Sequence, residues 1–213
     1  MYKCSRCGGI VNFKICSACG NIERITGGDN YFNFFGMEVS PVIDQARIEA
    51  LFYELSRKFH PDFFTGKESG LRLRSLELMS YLNDAYRTLK ERTERLKYIL
   101  KLYGIREENN GNPADMTEFF EINEALEEAA SGGVVSRETS SRIGERIDRL
   151  AKDIEDGMEK IGKEWKSADA KGRERIAVSI AAILGKARFV ENLNRAQARI
   201  SESCSGTGLE KDK

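Results

Sequence analysis

The sequence predicts an all-α protein: a helical hairpin domain followed by a three-helix bundle, with a small zinc-ribbon-like module at the N-terminus. Three observations point there. The 213 residues carry 34 basic and 34 acidic side chains with only three prolines, a composition suited to helices. Apolar residues recur at intervals of three and four through most of the chain. Finally, Cys4, Cys7, Cys16 and Cys19 form two Cys-x-x-Cys pairs near the start.

Residues 1–26 form the first segment, and they hold too little apolar surface to fold alone. Cys4-x-x-Cys7, eight intervening residues and Cys16-x-x-Cys19 have the spacing of a tetrahedral zinc site with four thiolate ligands. Gly8, Gly9 and Gly20 follow the second cysteine of each pair and permit a tight turn around sulfur. Zinc binding would then supply the folding energy of the segment. Redox sensing, iron in a rubredoxin-like site and a direct interaction role are the competing readings of the same four thiols. Cys204, the fifth cysteine, is assigned no role.

Residues 30–105 form the second segment. An aromatic entry, Tyr31-Phe32-Asn33-Phe34-Phe35, precedes a helix expected from Asp44 to Phe59, whose stripe is Ile48, Leu51, Phe52, Leu55 and Phe59. Arg57 and Lys58 lie outside that stripe. Pro61 lacks an amide proton and disfavours helical geometry at His60, so the helix breaks at His60-Pro61-Asp62. A second helix is expected from Leu71 to Lys90, buried through Leu73, Leu76, Met79, Leu82, Tyr86 and Leu89, and it returns antiparallel to the first. Leu96, Ile99, Leu100 and Tyr103 predict a short further helix capped by Gly104.

Residues 106–114 are polar, rich in glycine and asparagine, and read as a linker. The third segment, 115–202, should contain three helices. One runs from Asp115 to Ala130. The next starts near Ser136 and sets Ile143, Ile147, Leu150, Ile154, Met158, Ile161 and Trp165 along one seam. The last carries Ile176, Ile180, Ile183, Leu184, Ala187, Val190 and Leu193. Helices with single apolar faces must bury them together, which gives a three-helix bundle. Residues 203–213 read as a disordered tail.

Charge and motif content narrow the function. Zero formal net charge provides no basic excess for nucleic acid or an anionic membrane, and Lys3, Arg6 and Lys14 are too few for strong phosphate binding. No apolar run is long enough to cross a bilayer, and the first residues lack a secretory core. Paired Cys-x-x-Cys motifs indicate a reducing compartment. A tetracysteine motif so near the N-terminus leaves no room for a transit peptide, so the expectation is cytoplasmic, with a processed mitochondrial matrix form as the alternative. No pair of carboxylates, nucleophile or phosphate loop identifies an enzyme.

His60-Pro61-Asp62 between two amphipathic helices, preceded by Arg57-Lys58, resembles the J-domain family. The narrower resemblance is to the HscB co-chaperones, and it covers nearly everything from Asn30 to Ile200. It is carried by Tyr31-Phe32-Asn33-Phe34-Phe35-Gly36, by Phe59-His60-Pro61-Asp62-Phe63-Phe64, by Asn83-Asp84-Ala85-Tyr86-Arg87-Thr88-Leu89, by Arg95-Leu96-Lys97-Tyr98-Ile99-Leu100 and by Lys186-Ala187-Arg188-Phe189. The resemblance implies that His60, Pro61 and Asp62, with Arg57 and Lys58, dock on a DnaK/HscA-type chaperone ATPase and stimulate ATP hydrolysis there. It also implies that the C-terminal bundle binds an IscU-type iron-sulfur cluster scaffold protein.

Such a bundle should display apolar residues that its own core does not use. On a helical wheel Met116 and Phe120 fall on the margin of the buried arc around Phe119, Ile122 and Leu126, with Glu121 and Glu124 further round. On the last helix Phe189 projects about 140 to 160 degrees from the centre of the arc formed by Ile176, Ile180, Ile183 and Ala187. Met116, Phe120, Glu121, Glu124 and Phe189 are therefore the candidate scaffold-binding residues. Packing between the two helical domains is the plainer reading of the same apolar residues. Thr117 stands where the family often has a larger apolar residue. Two other functions compete with the adaptor: a general J-domain co-chaperone that presents unfolded clients, and a zinc-module interaction or nucleic-acid factor that has acquired a J-domain.

Overall fold

The structure is a computed structural model that describes residues 2–66, 69–106, 113–130 and 137–206; the side chains of 2, 69, 113–116, 129, 130, 137–140 and 200–206 are not described. Among the described residues the regular structure is helical apart from a small three-stranded sheet, and the chain divides into two compact units, Met1–Ile99 and Leu100–Lys213.

Unit one opens with strands β1 (Tyr2–Lys3), β2 (Ile10–Asn12) and β3 (Ile15–Cys16), paired antiparallel in the order β1-β2-β3. The β2–β3 turn holds Phe13 and Lys14 at φ of 45° and 66°, a conformation that two-residue hairpins of this hand require. Helix α1 (Tyr31–Phe34) begins in a reciprocal capping box, in which the Asn30 and Asn33 side chains each accept from the other's backbone N–H. Helix α2 (Gln45–Phe59) is capped by Asp44 and α3 (Ser69–Lys90) packs against it. Helix α4 (Arg92–Leu102) ends in a Schellman motif: Gly104, at φ +67°, donates to the Lys101 carbonyl and Ile105 to that of Leu100.

The α2 stripe is as expected: Ile48, Leu55 and Phe59 are buried, and Leu51 and Phe52 half-buried. The α3 stripe holds in part: Leu82 and Leu89 are buried, and Met79 and Tyr86 half-buried. Its buried residues are Leu71, Ser75, Leu78, Leu82, Ala85 and Leu89, whereas Leu73 and Leu76 are exposed. Small Ser75 and Ala85 are among the inward residues. The buried Ser75 hydroxyl donates to the Phe59 carbonyl, which has no following helical turn to satisfy it. Arg95, also buried, does the same for other loose ends, donating to the carbonyls of Pro41 at 3.0 Å and Leu89 at 2.5 Å.

Unit two contains α5 (Pro113–Ala130), α6 (Arg137–Ser167) and α7 (Ala170–Gly206), and α7 packs against both others. The expected α6 seam is buried at six positions, with Ile154 half-buried. On α7 the inward residues include Ala177 and Ala181, while Ile176 and Ile183 are only half-buried. Gly157 of α6 lets α7 come close, since a Cβ there would stand 2.9 Å from Ile183 Cδ1. Helix α7 continues to Gly206, four residues past the expected end of the bundle at 202. Most of the expected linker (107–112), the expected N-cap Ser136 and residues 207–213 of the expected tail lie outside the described residues.

Candidate functional site

The His60-Pro61-Asp62 tripeptide sits where α2 stops. His60 leaves the helix at φ −58° and ψ 127°, as a residue before proline must, and Pro61 starts a 3-10 turn through Phe64. The Asp62 N–H and carboxylate both lie 3.4 Å from His60 Nδ1. Phe63 donates its N–H to the His60 carbonyl, and Thr65 donates to that of Asp62. Phe64 is buried and anchors the turn, so the neighbouring ring of Phe63 is left 63% exposed. His60 and Asp62 present their side chains to solvent as well.

Beside the turn lies a groove of about 650 Å³ lined by Tyr53, Ser56, Arg57, His60, Asp62, Phe63 and Met79. Arg57 and Lys58 are exposed in the last turn of α2, where cations complement the helix dipole. Arg57 donates to the Tyr53 carbonyl and Lys58 pairs with Glu54 at 2.5 Å. An exposed apolar strip beside a cationic helix end is thus built next to the tripeptide. The sequence pattern had singled out neither Tyr53 nor Met79 for this surface. Their spacing from the turn, seven residues before and nineteen after His60, carries no local signal.

The four cysteines converge. Their Sγ atoms all lie within 4.8 Å of one another, with Cys4 to Cys19 at 3.8 Å and Cys7 to Cys16 at 3.5 Å. Four thiolates at the usual metal-sulfur distance stand about 3.8 Å apart along a tetrahedral edge, so this donor set fits a tetrahedral metal ion. Two matching turns build it: Gly8, at φ +73°, donates to the Cys4 carbonyl and Gly20, at φ +66°, to that of Cys16. Arg6 and Gly9 N–H groups point at the sulfurs of Cys4 and Cys7. The Cys19 backbone N–H pulls the Cys16 thiol down to about 7, while Cys7, although the Gly9 N–H favours its thiolate, is pushed up to about 12 by the Cys19 and Cys16 thiols.

The module is docked on the helical hairpin. Arg74 Nη1 donates to Asn21 Oδ1 at 3.2 Å and to the Ile22 carbonyl at 3.1 Å. Ile22 is fully buried, and the Lys14 ammonium pairs with Asp29 at 2.7 Å, both side chains largely buried. Burial opposes ionisation of Asp29, but Lys14 and the N–H and hydroxyl of Thr26 outweigh it and hold the carboxyl below its ordinary value.

In unit two Phe120 is 66% exposed, with Glu121 and Glu124 also exposed. Arg146 of α6 pairs with Glu121 at 2.9 Å and Glu118 at 3.6 Å, so the acidic rim is partly held by the bundle itself. Phe189 differs from expectation. It is half-buried and stacks on Phe119 with ring centroids 4.8 Å apart. Helix α7 packs against α5 as well as α6, and Phe189 lies on the α5 side with Phe119. Met116 lies outside the residues whose side chains are described.

No family model matches the sequence. Among curated proteins it is 33% identical over 129 residues to an iron-sulfur cluster co-chaperone protein HscB homolog of Arabidopsis thaliana, covering 59% of this chain and 51% of that one. It is 34% identical over 113 residues to a co-chaperone protein HscB homolog of Cupriavidus taiwanensis, covering 51% of this chain and 64% of that one. The chain thus spans between about half and two thirds of the length of these relatives. Among solved structures, human HscB superimposes with a TM-score of 0.65 at 23% identity, over 94% of this chain and 98% of that one. HscB of Vibrio cholerae gives 0.57 at 23% identity, over 83% and 99%. At this identity the structural likeness speaks for the fold. Among the described residues no helix is long and apolar enough to cross a membrane.

Proposed function

We propose that this chain, which resembles HscB co-chaperones in sequence and in fold, is an adaptor that brings an IscU-type iron-sulfur cluster scaffold protein to a DnaK/HscA-type chaperone and stimulates the chaperone's ATP hydrolysis. The observation that carries the reading is the His60-Pro61-Asp62 turn. It is fixed from below by Phe64 and Ser75 and open above, beside Arg57, Lys58 and the groove of Tyr53, Phe63 and Met79. A turn held this way loses little freedom on docking, which favours binding to a partner over solvent display. The cationic helix end steers an acidic partner surface, and the exposed rings supply apolar area.

The scaffold site belongs to the other unit, on α5. Phe120 offers an apolar anchor, Glu121 and Glu124 a carboxylate rim, and Met116 and Phe189 complete the proposed set. Binding energy at two separate sites does the work, and the adaptor needs no reaction of its own. The tetracysteine cluster is proposed to hold zinc as a structural ion through Cys4, Cys7, Cys16 and Cys19, which supplies cross-linking where the segment lacks a core. Four free thiols at these distances suit a reducing compartment such as a cytoplasm or a mitochondrial matrix.

Separability of the two sites tests the reading. Asp62→Asn should abolish capture of the ATP-bound chaperone and leave scaffold affinity unchanged, and Phe120→Ala should weaken scaffold binding at least tenfold, the effect of losing about 1.4 kcal/mol at an interface anchor, and leave chaperone capture unchanged. If either substitution affects both partners equally, or neither partner binds, the adaptor reading is lost.

A further inference from the structure

The cysteine cluster and the His60-Pro61-Asp62 turn are joined by a short chain of polar contacts that meets on two successive residues of α3. Asn21 is buried, and its backbone carbonyl accepts from the Cys16 N–H at 2.9 Å. Its amide Nδ2 lies 3.8 Å from Cys4 Sγ and donates to Glu23 Oε1, which in turn accepts from the Ser5 N–H and hydroxyl between the first two cysteines. Asn21 is thereby tied to both cysteine turns. Its side-chain oxygen, Oδ1, accepts from Arg74. The next residue, Ser75, holds the Phe59 carbonyl immediately before His60.

A second contact runs parallel to the first. The Phe13 ring at the tip of the β2–β3 turn lies against Gly36, where an added Cβ would meet it at 3.7 Å. The Lys58 ammonium sits 5.9 Å over the same ring. The cysteine module thus meets both helices that carry the turn, α3 through Arg74 and the last turn of α2 through Lys58.

We propose that Arg74 is a positioning residue that couples the metal-bound cysteine cluster to the His60-Pro61-Asp62 turn, so that loss of the metal loosens the turn. Free of metal, the four thiols no longer fix the two cysteine turns, and Asn21 and the Ile22 carbonyl no longer offer Arg74 a fixed pair of acceptors. The guanidinium then stops bracing α3 at the level where Ser75 supports Phe59. The metal-bound module is by this account part of the working J-domain. Its effect on chaperone stimulation rests on the function proposed above; its effect on the turn does not.

Amide hydrogen exchange over residues 59–65 of the full chain reads the turn directly, without any chaperone. The arms are zinc-loaded wild type, chelator-stripped wild type, zinc-loaded Arg74→Ala, Arg74→Lys, and Arg72→Ala as a control on an exposed neighbour, each with its zinc content measured. The expected result is exchange about tenfold faster in the stripped protein and in Arg74→Ala, from loss of the charge-assisted hydrogen bonds of Arg74 to Asn21 and Ile22. Arg74→Ala should keep its zinc, Arg74→Lys should fall between it and wild type, and Arg72→Ala should match wild type. Wild-type exchange over 59–65 in either the stripped protein or Arg74→Ala overturns the coupling. So does loss of zinc from Arg74→Ala, because a residue that merely props the module would do that. Failure of the wild-type chain to stimulate a chaperone, with these exchange results intact, would count against the adaptor function alone.

Discussion

The Phe189 ring of α7 stacks on Phe119 of α5 at 4.8 Å and 27°, while Phe120, one residue along, points into solvent. Adjacent phenylalanines on α5 therefore divide the labour between folding and recognition. Phe119→Ala should lower the unfolding free energy of the bundle by about 3–5 kcal/mol, through lost burial and the cavity left beside Phe189. Phe120→Ala should change it by no more than about 0.5 kcal/mol. Denaturant titration of the two variants decides; equal losses would mean that Phe120 is a core residue.

Gly9 is required by close approach to the cysteine cluster. A Cβ there would stand 3.0 Å from Ala18 Cβ and 3.2 and 3.3 Å from the sulfurs of Cys16 and Cys7. Gly9→Ala should weaken zinc binding by about 10–100-fold in competition with a chelator, since it displaces two ligands together. Gly27→Ala, with open space around it, is the control and should bind zinc as wild type does. Unchanged affinity in Gly9→Ala would show that the sulfurs adopt another arrangement when the metal binds.

Acid should loosen the module through Asp29. Its folded carboxyl is held below the unfolded value of about 3.9, so between those two values the folded state binds fewer protons than the unfolded one. The stabilisation is complete above the unfolded value and is lost as pH falls through the folded one. Asp29→Asn should cost roughly 3 kcal/mol at neutral pH, because it removes the carboxylate partner of a largely buried ammonium at Lys14. It should also flatten the acid limb of stability against pH below about 4. Equal slopes in variant and wild type would show that the Lys14 pair does not govern the acid response.

Ser75→Ala leaves the Phe59 carbonyl without its buried donor and should cost about 1–3 kcal/mol. Leu73→Ala and Leu76→Ala, on the exposed side of the same helix, should cost no more than about 0.5 kcal/mol each. The reverse order in thermal or denaturant unfolding would restore the stripe that residue size alone suggests.

That contrast explains what the sequence made legible. The α6 seam stands out because its large apolar residues are the inward ones, set on a charged background. In α3 the inward arc takes in small Ser75 and Ala85 beside Leu71, Leu78, Leu82 and Leu89, while two large residues, Leu73 and Leu76, are left outside. A periodic pattern weighted by side-chain size then takes in Leu73 and Leu76 along with the inward residues. Phe189 is half-buried for a related reason: a helix that packs on two neighbours buries a wider arc than one seam describes. The cysteine cluster was readable from spacing alone, because tetrahedral coordination demands those residues and few others. Its docking was not, for Arg74 lies in an arginine-rich stretch with Arg72 and nothing local distinguishes the bound from the solvated side chain.

The central claim, that the His60-Pro61-Asp62 turn acts on a chaperone while unit two holds the scaffold, is tested most directly by steady-state ATP hydrolysis of the cognate DnaK-type chaperone. Wild type and His60→Gln are each assayed with and without the scaffold protein. The account predicts that wild type and scaffold stimulate together beyond either alone, and that His60→Gln abolishes the stimulation while scaffold affinity stays unchanged. Equal stimulation by wild type and His60→Gln, or none by wild type at saturating concentration, would contradict it.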